Sequence, residues 1–399
     1  MRLAVFYRHV AFRRLSLGTL WHAASAQGEQ VLVGLLVYQL TDSTGWVGVA
    51  YALSFLPMLL VGLPAGLSAD RYDRRLMLPL VEAVSFLILG SMAIIALFDG
   101  LTLTVVLASI FAMGCIRALH HPVRLSYAHD LLGGTKLAGA LGALSVMGRI
   151  GMLFGALMTG TVMEFADAAS AYALLAMTHL LALSALVRLQ PIEDAVHREP
   201  QALGSAIREY LHELRTNPVM WRLTLIASAV EIFGFSFATA LPELASDHLE
   251  VGAQGLGLLH AGRAVGGLSA GLVIAWYGTV QRTGWLFLVV IAGFGIALLT
   301  LGAAPTLILA MCAVGAVAAC AAGCDVLVQT MLQQCVADHL RGRAMGAWVL
   351  ALGAGPIGHL QVGALAGAIG AGLTLSVNGG VMIALALVAA AAAPAVRKM

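Results

Sequence analysis

The chain has 399 residues, of which 60% are hydrophobic and only 11% charged, with a formal net charge of +2 and a mean hydropathy of +0.92. A soluble domain carries about 25% charged residues, so an ordinary soluble globular protein is excluded, and the near-neutral charge gives no reason to expect a nucleic-acid partner. At roughly 20 apolar residues per membrane-crossing helix, the length accommodates about twelve such helices and little else.

Apolar runs fall at about 15–40, 45–69, 76–98, 101–123, 136–162, 168–189, 219–242, 255–277, 283–302, 305–332, 343–367 and 371–394. Lipid offers no partner to an open backbone, so each run is expected to be a helix. Barrel strands are excluded because the runs do not alternate polar and apolar residues. The basic, amphipathic 1–15 segment is expected to lie along the inner leaflet, since no short apolar core with an A-x-A-like site follows it.

The bases fix orientation. Arg2, Arg8, Arg13 and Arg14 precede the first span, Arg71, Arg74 and Arg75 join spans two and three, and Arg124 and Lys136 flank the next loop on that side. Arg188, Arg198, Arg208, Arg215 and Arg222 cover the central segment, Arg282 follows span eight, Arg341 and Arg343 follow span ten, and Arg397 and Lys398 close the chain. The opposite loops hold Asp42, Asp99, Glu164, Asp167, Glu243, Asp247 and Glu250, with no Lys or Arg. The positive-inside rule then places both termini in the cytoplasm of a multi-pass protein, expected in a bacterial inner membrane. Cys115, Cys312, Cys320, Cys324 and Cys335 all fall inside spans. They read as small packing residues without a disulfide. No metal site is expected, because Cys320 and Cys324 have only Asp325 beside them.

Two halves are visible. Arg14-Leu15-Ser16-Leu17 returns as Arg222-Leu223-Thr224-Leu225, and Gly139, Gly148, Ile150 and Gly151 return as Gly346, Gly355, Ile357 and Gly358, at nearly the same offset. A six-plus-six duplication follows, with bundles at 1–190 and 219–399 and a polar linker at 191–218 whose 205–216 stretch reads as a short amphipathic helix.

The stretch Gly66-Leu67-Ser68-Ala69-Asp70-Arg71-Tyr72-Asp73-Arg74-Arg75, set between two long apolar runs, resembles the signature loop of the major facilitator superfamily of transporters. Tyr38-Gln39-Leu40-Thr41-Asp42-Ser43, Pro122-Val123-Arg124, Leu241-Pro242-Glu243, Gln329-Thr330-Met331-Leu332-Gln333 and Arg341-Gly342-Arg343-Ala344-Met345-Gly346 are similar to the drug- and siderophore-exporting branch, the enterobactin-exporter and macrolide-efflux group. The resemblance implies an all-α membrane protein of twelve helices in two pseudo-symmetric bundles, working by alternating access. It also implies that Gly66, Asp70, Arg71, Arg74, Arg75 and Arg343 serve gating, with Asp70 capping the start of span eleven. Three departures stand out: Asp73 replaces a glycine, Gly151-Met152-Leu153-Phe154-Gly155 lacks the usual helix-five proline, and the second-half loop at 277–284 has no aspartate.

A charge inside a span is costly and marks function by default. Glu29, Glu231, Arg117, Arg149 and Asp325 are the candidate proton-coupling residues; Glu29, Arg117, Glu231 and Asp325 sit one each on spans one, four, seven and ten, the helices that line the cavity in the fold the resemblance implies. The alternative for Glu29 is a permanent salt bridge to Arg149. Glu82 is expected to reach the cytoplasmic edge as a structural residue. Trp21, His22, Tyr38, Phe233, Phe237 and Trp348 are candidate walls for a hydrophobic substrate, and His260 and His359 are further membrane histidines. No nucleophile–base constellation or phosphate-binding Gly-x4-Gly-Lys-Ser/Thr loop appears, so neither an enzyme nor a nucleotide-driven pump is expected, and no cofactor. The reading is a monomeric secondary transporter in the bilayer that exports small amphipathic molecules in exchange for protons. An uptake permease, a lipid flippase and a non-transporting sensor are the alternatives.

Overall fold

The computed structural model describes residues 7, 9–71, 73–132, 137–189, 216–277, 282–336, 341–397 and 399, the side chains of 61–71, 132, 137, 138, 275–277 and 341–346 excepted. The expected 205–216 helix therefore lies almost wholly outside the described residues. So do the side chains of Gly66, Asp70, Arg71 and Arg343, and with them the proposed Asp70 cap.

Among the described residues, all regular structure is helical. In chain order the helices are α1 Val10–Thr41, α2 Thr44–Arg71, α3 Arg74–Leu97, α4 Leu103–Leu132, α5 Leu137–Phe165, α6 Ala168–Leu186, α7 Pro218–Phe233, α8 Gly252–Tyr277, α9 Thr283–Gly302, α10 Leu307–Gln334, α11 Arg341–Leu352, α12 Gly355–Ile369 and α13 Ala371–Ala392. Among the described residues, ten stretches are long and apolar enough to cross a membrane, and α1 is not among them. The reason for α1 is compositional: its 32 residues include Arg13, Arg14, His22, Ser25, Gln27, Glu29 and Gln30.

Two expected spans are broken rather than straight. After α7 the backbone tightens into a 3-10 segment, Phe235–Ala240, and then widens into a π turn, Leu244–His248. Gly234 ends α7, and Pro242 cannot donate to the ladder. The eleventh run is split into α11 and α12 at Gly353–Ala354, with Pro356 in the first turn of α12.

Side chains explain why these helices suit lipid. On α3, Leu78, Val81, Glu82, Ser85, Leu89 and Met92 are buried, whereas Leu76, Leu80, Leu87 and Ile94 are exposed. Leucines that face outward in a contiguous band, where a soluble helix would carry charge, are expected only against hydrocarbon. The protein is a multi-pass membrane protein.

The chain divides into two compact units. One comprises Met1–Leu40, Leu56–Pro200 and Gly252–Ala261, the other Thr41–Phe55, Gln201–Val251 and Gly262–Met399. In the first unit, Phe12, Leu15, Leu78, Tyr127, Leu144 and Leu186 belong to a core that joins α1, α3, α4, α5 and α6. Glycine lets α5 press directly on α1: a Cβ at Gly151 or Gly155 would collide with the carbonyls of Leu20 and Ala24. In the second unit, Gly358 gives α12 the same access to the broken end of α7 at Ile232.

Asp73, the departure from the signature loop, has a structural reason. It is the N-cap of α3 and accepts the Arg75 N–H at 2.9 Å, a role for which Asp is among the best residues and glycine is weaker. Arg74 donates to Asp130 at the end of α4, both largely buried.

Candidate functional site

In the first unit, four helices bring together a group of embedded polar side chains. On α1, His22 and Glu29 are seven residues apart and so share a face, about 10 Å apart along the axis. On α4, Arg117 and His120 are three apart and adjacent on the surface. The two faces meet twice. Arg117 Nη1 donates to Glu29 Oε2 at 2.5 Å, with Glu29 buried and Arg117 one-quarter exposed. The His22 and His120 rings stack, with centroids 3.5 Å apart and planes within 14°.

Glu29 therefore pairs with Arg117, whereas the sequence offered Arg149 as the alternative partner. Which arginine faced it depended on the rotation of α4 and α5 about their axes, which spacing does not encode. Arg149 is half-buried on α5.

Beneath the stacked rings sits Glu82 of α3, fully buried. It is enclosed by other side chains and does not open to solvent, as a residue reaching the cytoplasmic edge would. His22 Nδ1 lies 2.8 Å from Glu82 Oε1, and His179 Nδ1, from α6, lies 2.6 Å from Glu82 Oε2. His120 Nε2 is 3.4 Å from Oε1. His179 was missed in the sequence. Its signal was present, a lone imidazole in the middle of an apolar span, but it had no recognisable spacing to a partner because its partner is on another helix.

His22, Glu82 and His179 offer three donor atoms within 4.8 Å of one another, a set able to approach a metal ion. The spacing is that of hydrogen bonds. Donors on a tetrahedral zinc ion, with bonds of about 2.0–2.1 Å, stand roughly 3.3 Å apart. A metal-bound histidine also hands its second ring nitrogen to a partner, whereas Nε2 of His179 is buried with none.

Other candidates fall elsewhere. Trp21 and Tyr38 are on α1, half-buried and buried, without a shared wall. In the first unit Gln27 Nε2 is 2.9 Å from Nδ1 of His260, which is fully buried.

In the second unit, Glu231 is buried at the last turn of α7, just before its break, and is near enough to Asp325 of α10 to interact with it electrostatically. Phe237 is buried in the 3-10 segment under the Arg263 guanidinium, 5.6 Å from the ring centre. Phe233 and Trp348 are half-buried. His359 is enclosed: Nδ1 is 2.8 Å from the Thr239 hydroxyl, and its ring stacks on Phe55 at 5.1 Å. That arrangement is a satisfied interior histidine.

Two glutamates of the acidic loops hold helix starts. Glu243 accepts the Ala371 N–H of α13 at 2.7 Å and the Thr44 hydroxyl of α2. Glu164 accepts the Gln254 N–H of α8 at 3.2 Å. Ahead of each cap a glycine takes a left-handed turn, Gly370 at φ 82° and Gly252 at φ 62°.

Residues 3–398 match the family described as transmembrane secretion effector. The chain is similar to the enterobactin exporter of Shigella flexneri, 26% identical over 375 residues, which is 90% of this chain and 87% of that one. It is similar to the enterobactin exporter of Escherichia coli O1:K1 at 25% over 378 residues, again 90% and 87%. Among solved structures it resembles a POT family transporter in complex with a thioalcohol-conjugated peptide (TM-score 0.78, 10% identity, 96% of each chain). It also resembles the nucleoside transporter NupG with Asp replaced by Ala at one position (TM-score 0.78, 12% identity, 96% of this chain and 99% of that one). At these identities the structures speak for the fold alone.

Proposed function

Because the chain belongs to the transmembrane secretion effector family, a family of secondary transporters and not of enzymes, we propose that it exports small amphipathic molecules, siderophores or drugs, in exchange for protons. Two comparisons support export. The family carries a secretion description over nearly the whole chain, and the curated relatives are enterobactin exporters covered to 87% of their length. The proposed architecture is twelve spans in two six-helix bundles, 1–190 and 219–399, joined by the 191–218 linker. The protein acts as a monomer in a bacterial inner membrane with both termini in the cytoplasm.

The observation that carries proton exchange is the Arg117–Glu29 pair. A carboxylate buried between helices is costly to keep ionised, and a guanidinium at 2.5 Å sets whether it holds a proton. Withdrawing or screening Arg117 changes that balance, so movement or substrate can release or take up a proton. Glu231, beside Asp325 in the other unit, is the second carrier in this reading, and Arg149 is an accessory charge. Trp21, His22, Tyr38, Phe233, Phe237 and Trp348 supply apolar contact to substrate. Gly66, Asp70, Arg71, Arg74, Arg75 and Arg343 belong to the gate.

The test is transport in proteoliposomes under an imposed pH gradient, with enterobactin, a labelled macrolide and ethidium as probes. Probe movement against its own gradient that collapses with the pH gradient supports the proposal. Movement indifferent to the pH gradient removes proton exchange and favours a flippase.

A further inference from the structure

We propose that His22, His120, Glu82 and His179 form a one-proton store inside the first unit, loaded through His22. The proposal rests on the reading that protons drive transport, and it supplies that reading with a site other than the Glu29–Arg117 pair.

The geometry limits how many protons the set can hold and where. Both oxygens of Glu82 already face an imidazole Nδ1, at 2.8 Å and 2.6 Å. An ionised Glu82 therefore accepts from two neutral rings in their Nδ1–H form. The geometry directs an additional proton to a ring other than His179. Its Nε2 is buried with no partner, and a donor there would forfeit a hydrogen bond. His22 and His120 remain. Their rings stack at 3.5 Å, so two imidazolium charges would repel across a contact where the screening of bulk water is lost. One of the pair can be charged, not both. His120 Nε2 also faces Glu82 Oε1 at 3.4 Å, which places the extra proton against the buried carboxylate.

The groups around the set are fixed. Helix α1 presents His22, α6 presents His179, and α4 presents His120 and Arg124, the last a permanent cation that acts on both stacked rings, while His121 of α4 also acts on His120. Arg124 discourages a second positive charge and so reinforces the limit of one. Access is one-sided. The His22 side chain is 12% exposed, against 5% for His120, 1% for His179 and 0% for Glu82. A proton that arrives on His22 lies on the α1 face that carries Glu29, and a charge on His120 lies one turn from Arg117. The store is thus placed to bias the ion pair that the transport reading depends on.

The experiment uses the full chain, labelled with 15N-histidine, in lipid nanodiscs across about pH 5 to pH 8, where imidazole changes charge. Signals are assigned with His22→Asn and His120→Asn. The expected result is a single one-proton transition shared by His22 and His120, displaced in Glu82→Gln, with His179 remaining in one neutral tautomer throughout. Silence of both stacked rings over that range would overturn the proposal, and so would two separate one-proton transitions. Tight one-to-one uptake of Zn2+ that is lost in His179→Ala would also overturn it. The wild-type titration decides the matter even where Glu82→Gln fails to fold. A titrating cluster with pH-indifferent transport would support the store and remove the transport reading. A silent cluster with pH-driven transport would do the reverse.

Discussion

Glu243 and the backbone N–H of Ala371 are joined at 2.7 Å, which makes a side chain at the end of the broken seventh span the cap of α13. The other carboxylate oxygen holds the Thr44 hydroxyl at the start of α2, so one residue ties three elements of the second unit. An ionised acceptor at a helix start answers both the unpaired N–H groups and the positive end of the helix dipole. We expect Glu243→Ala to lower the apparent melting temperature by the equivalent of about 1–2 kcal/mol. Glu243→Gln should fall between, since it keeps an acceptor and loses the charge. Equal melting of all three proteins in a detergent thermal-shift assay would show that the cap contributes nothing.

Gly155 and Gly151 are predicted to be intolerant of a single methyl group. At each, a Cβ would run into the backbone of α1, at Ala24 and Leu20, and backbone cannot swing aside as a flexible side chain can. Gly155→Ala should cost about 1–3 kcal/mol or prevent folding. Gly142 lies on the same helix with nothing within 4 Å of its would-be Cβ. There the same change should be neutral or should add up to about 1 kcal/mol through helix propensity. Monodisperse yield on size exclusion separates the two; equal yields would refute the packing argument.

How far the sequence reached can be judged from individual residues. Hydropathy located the helices because the bilayer imposes one length and one polarity on every span. It also singled out Glu29 and Arg117 as embedded charges. It could not pair them, since pairing depends on how each helix is rotated about its axis, and no residue spacing within one helix reports that. Glu82 illustrates the same limit: eight residues into α3 it looked close enough to the cytoplasm to escape, yet α3 turns it inward between three imidazoles from three other helices. The breaks after Gly234 and at Gly353 carried visible glycine and proline signals, but within long apolar runs these read as packing.

The Glu29–Arg117 pair should behave asymmetrically. Glu29 is buried, whereas Arg117 is one-quarter exposed. Arg117→Gln strands a buried carboxylate and should cost up to about 3 kcal/mol. Glu29→Gln leaves a guanidinium that is only partly buried and should cost about 1 kcal/mol. The double substitution should recover part of the Arg117→Gln loss, because the stranded charge is gone. Additive losses in a double-mutant melting cycle would show that the two side chains do not act as a pair.

The last prediction concerns acid. Asp167 is the N-cap of α6 and accepts the Ser170 N–H at 2.7 Å. It lies in the loop ahead of the span, and the Ser170 backbone hydrogen bond holds its carboxyl below the ordinary aspartate range. The sign of the linkage follows. A group whose folded pKa is depressed binds fewer protons folded than unfolded, so its stabilisation is complete above the unfolded value of about 3.9 and disappears as the pH falls through the folded value. Asp167→Asn keeps an acceptor and removes the titration. Wild type should therefore melt above Asp167→Asn at neutral pH, by a constant margin down to about pH 5, and the margin should close as the pH falls further. Because the side chain is fully solvent-exposed, the margin should be small and should shrink in high salt. A margin that is unchanged from neutral pH to about pH 3 would mean that the Asp167 carboxylate is not what holds the start of α6.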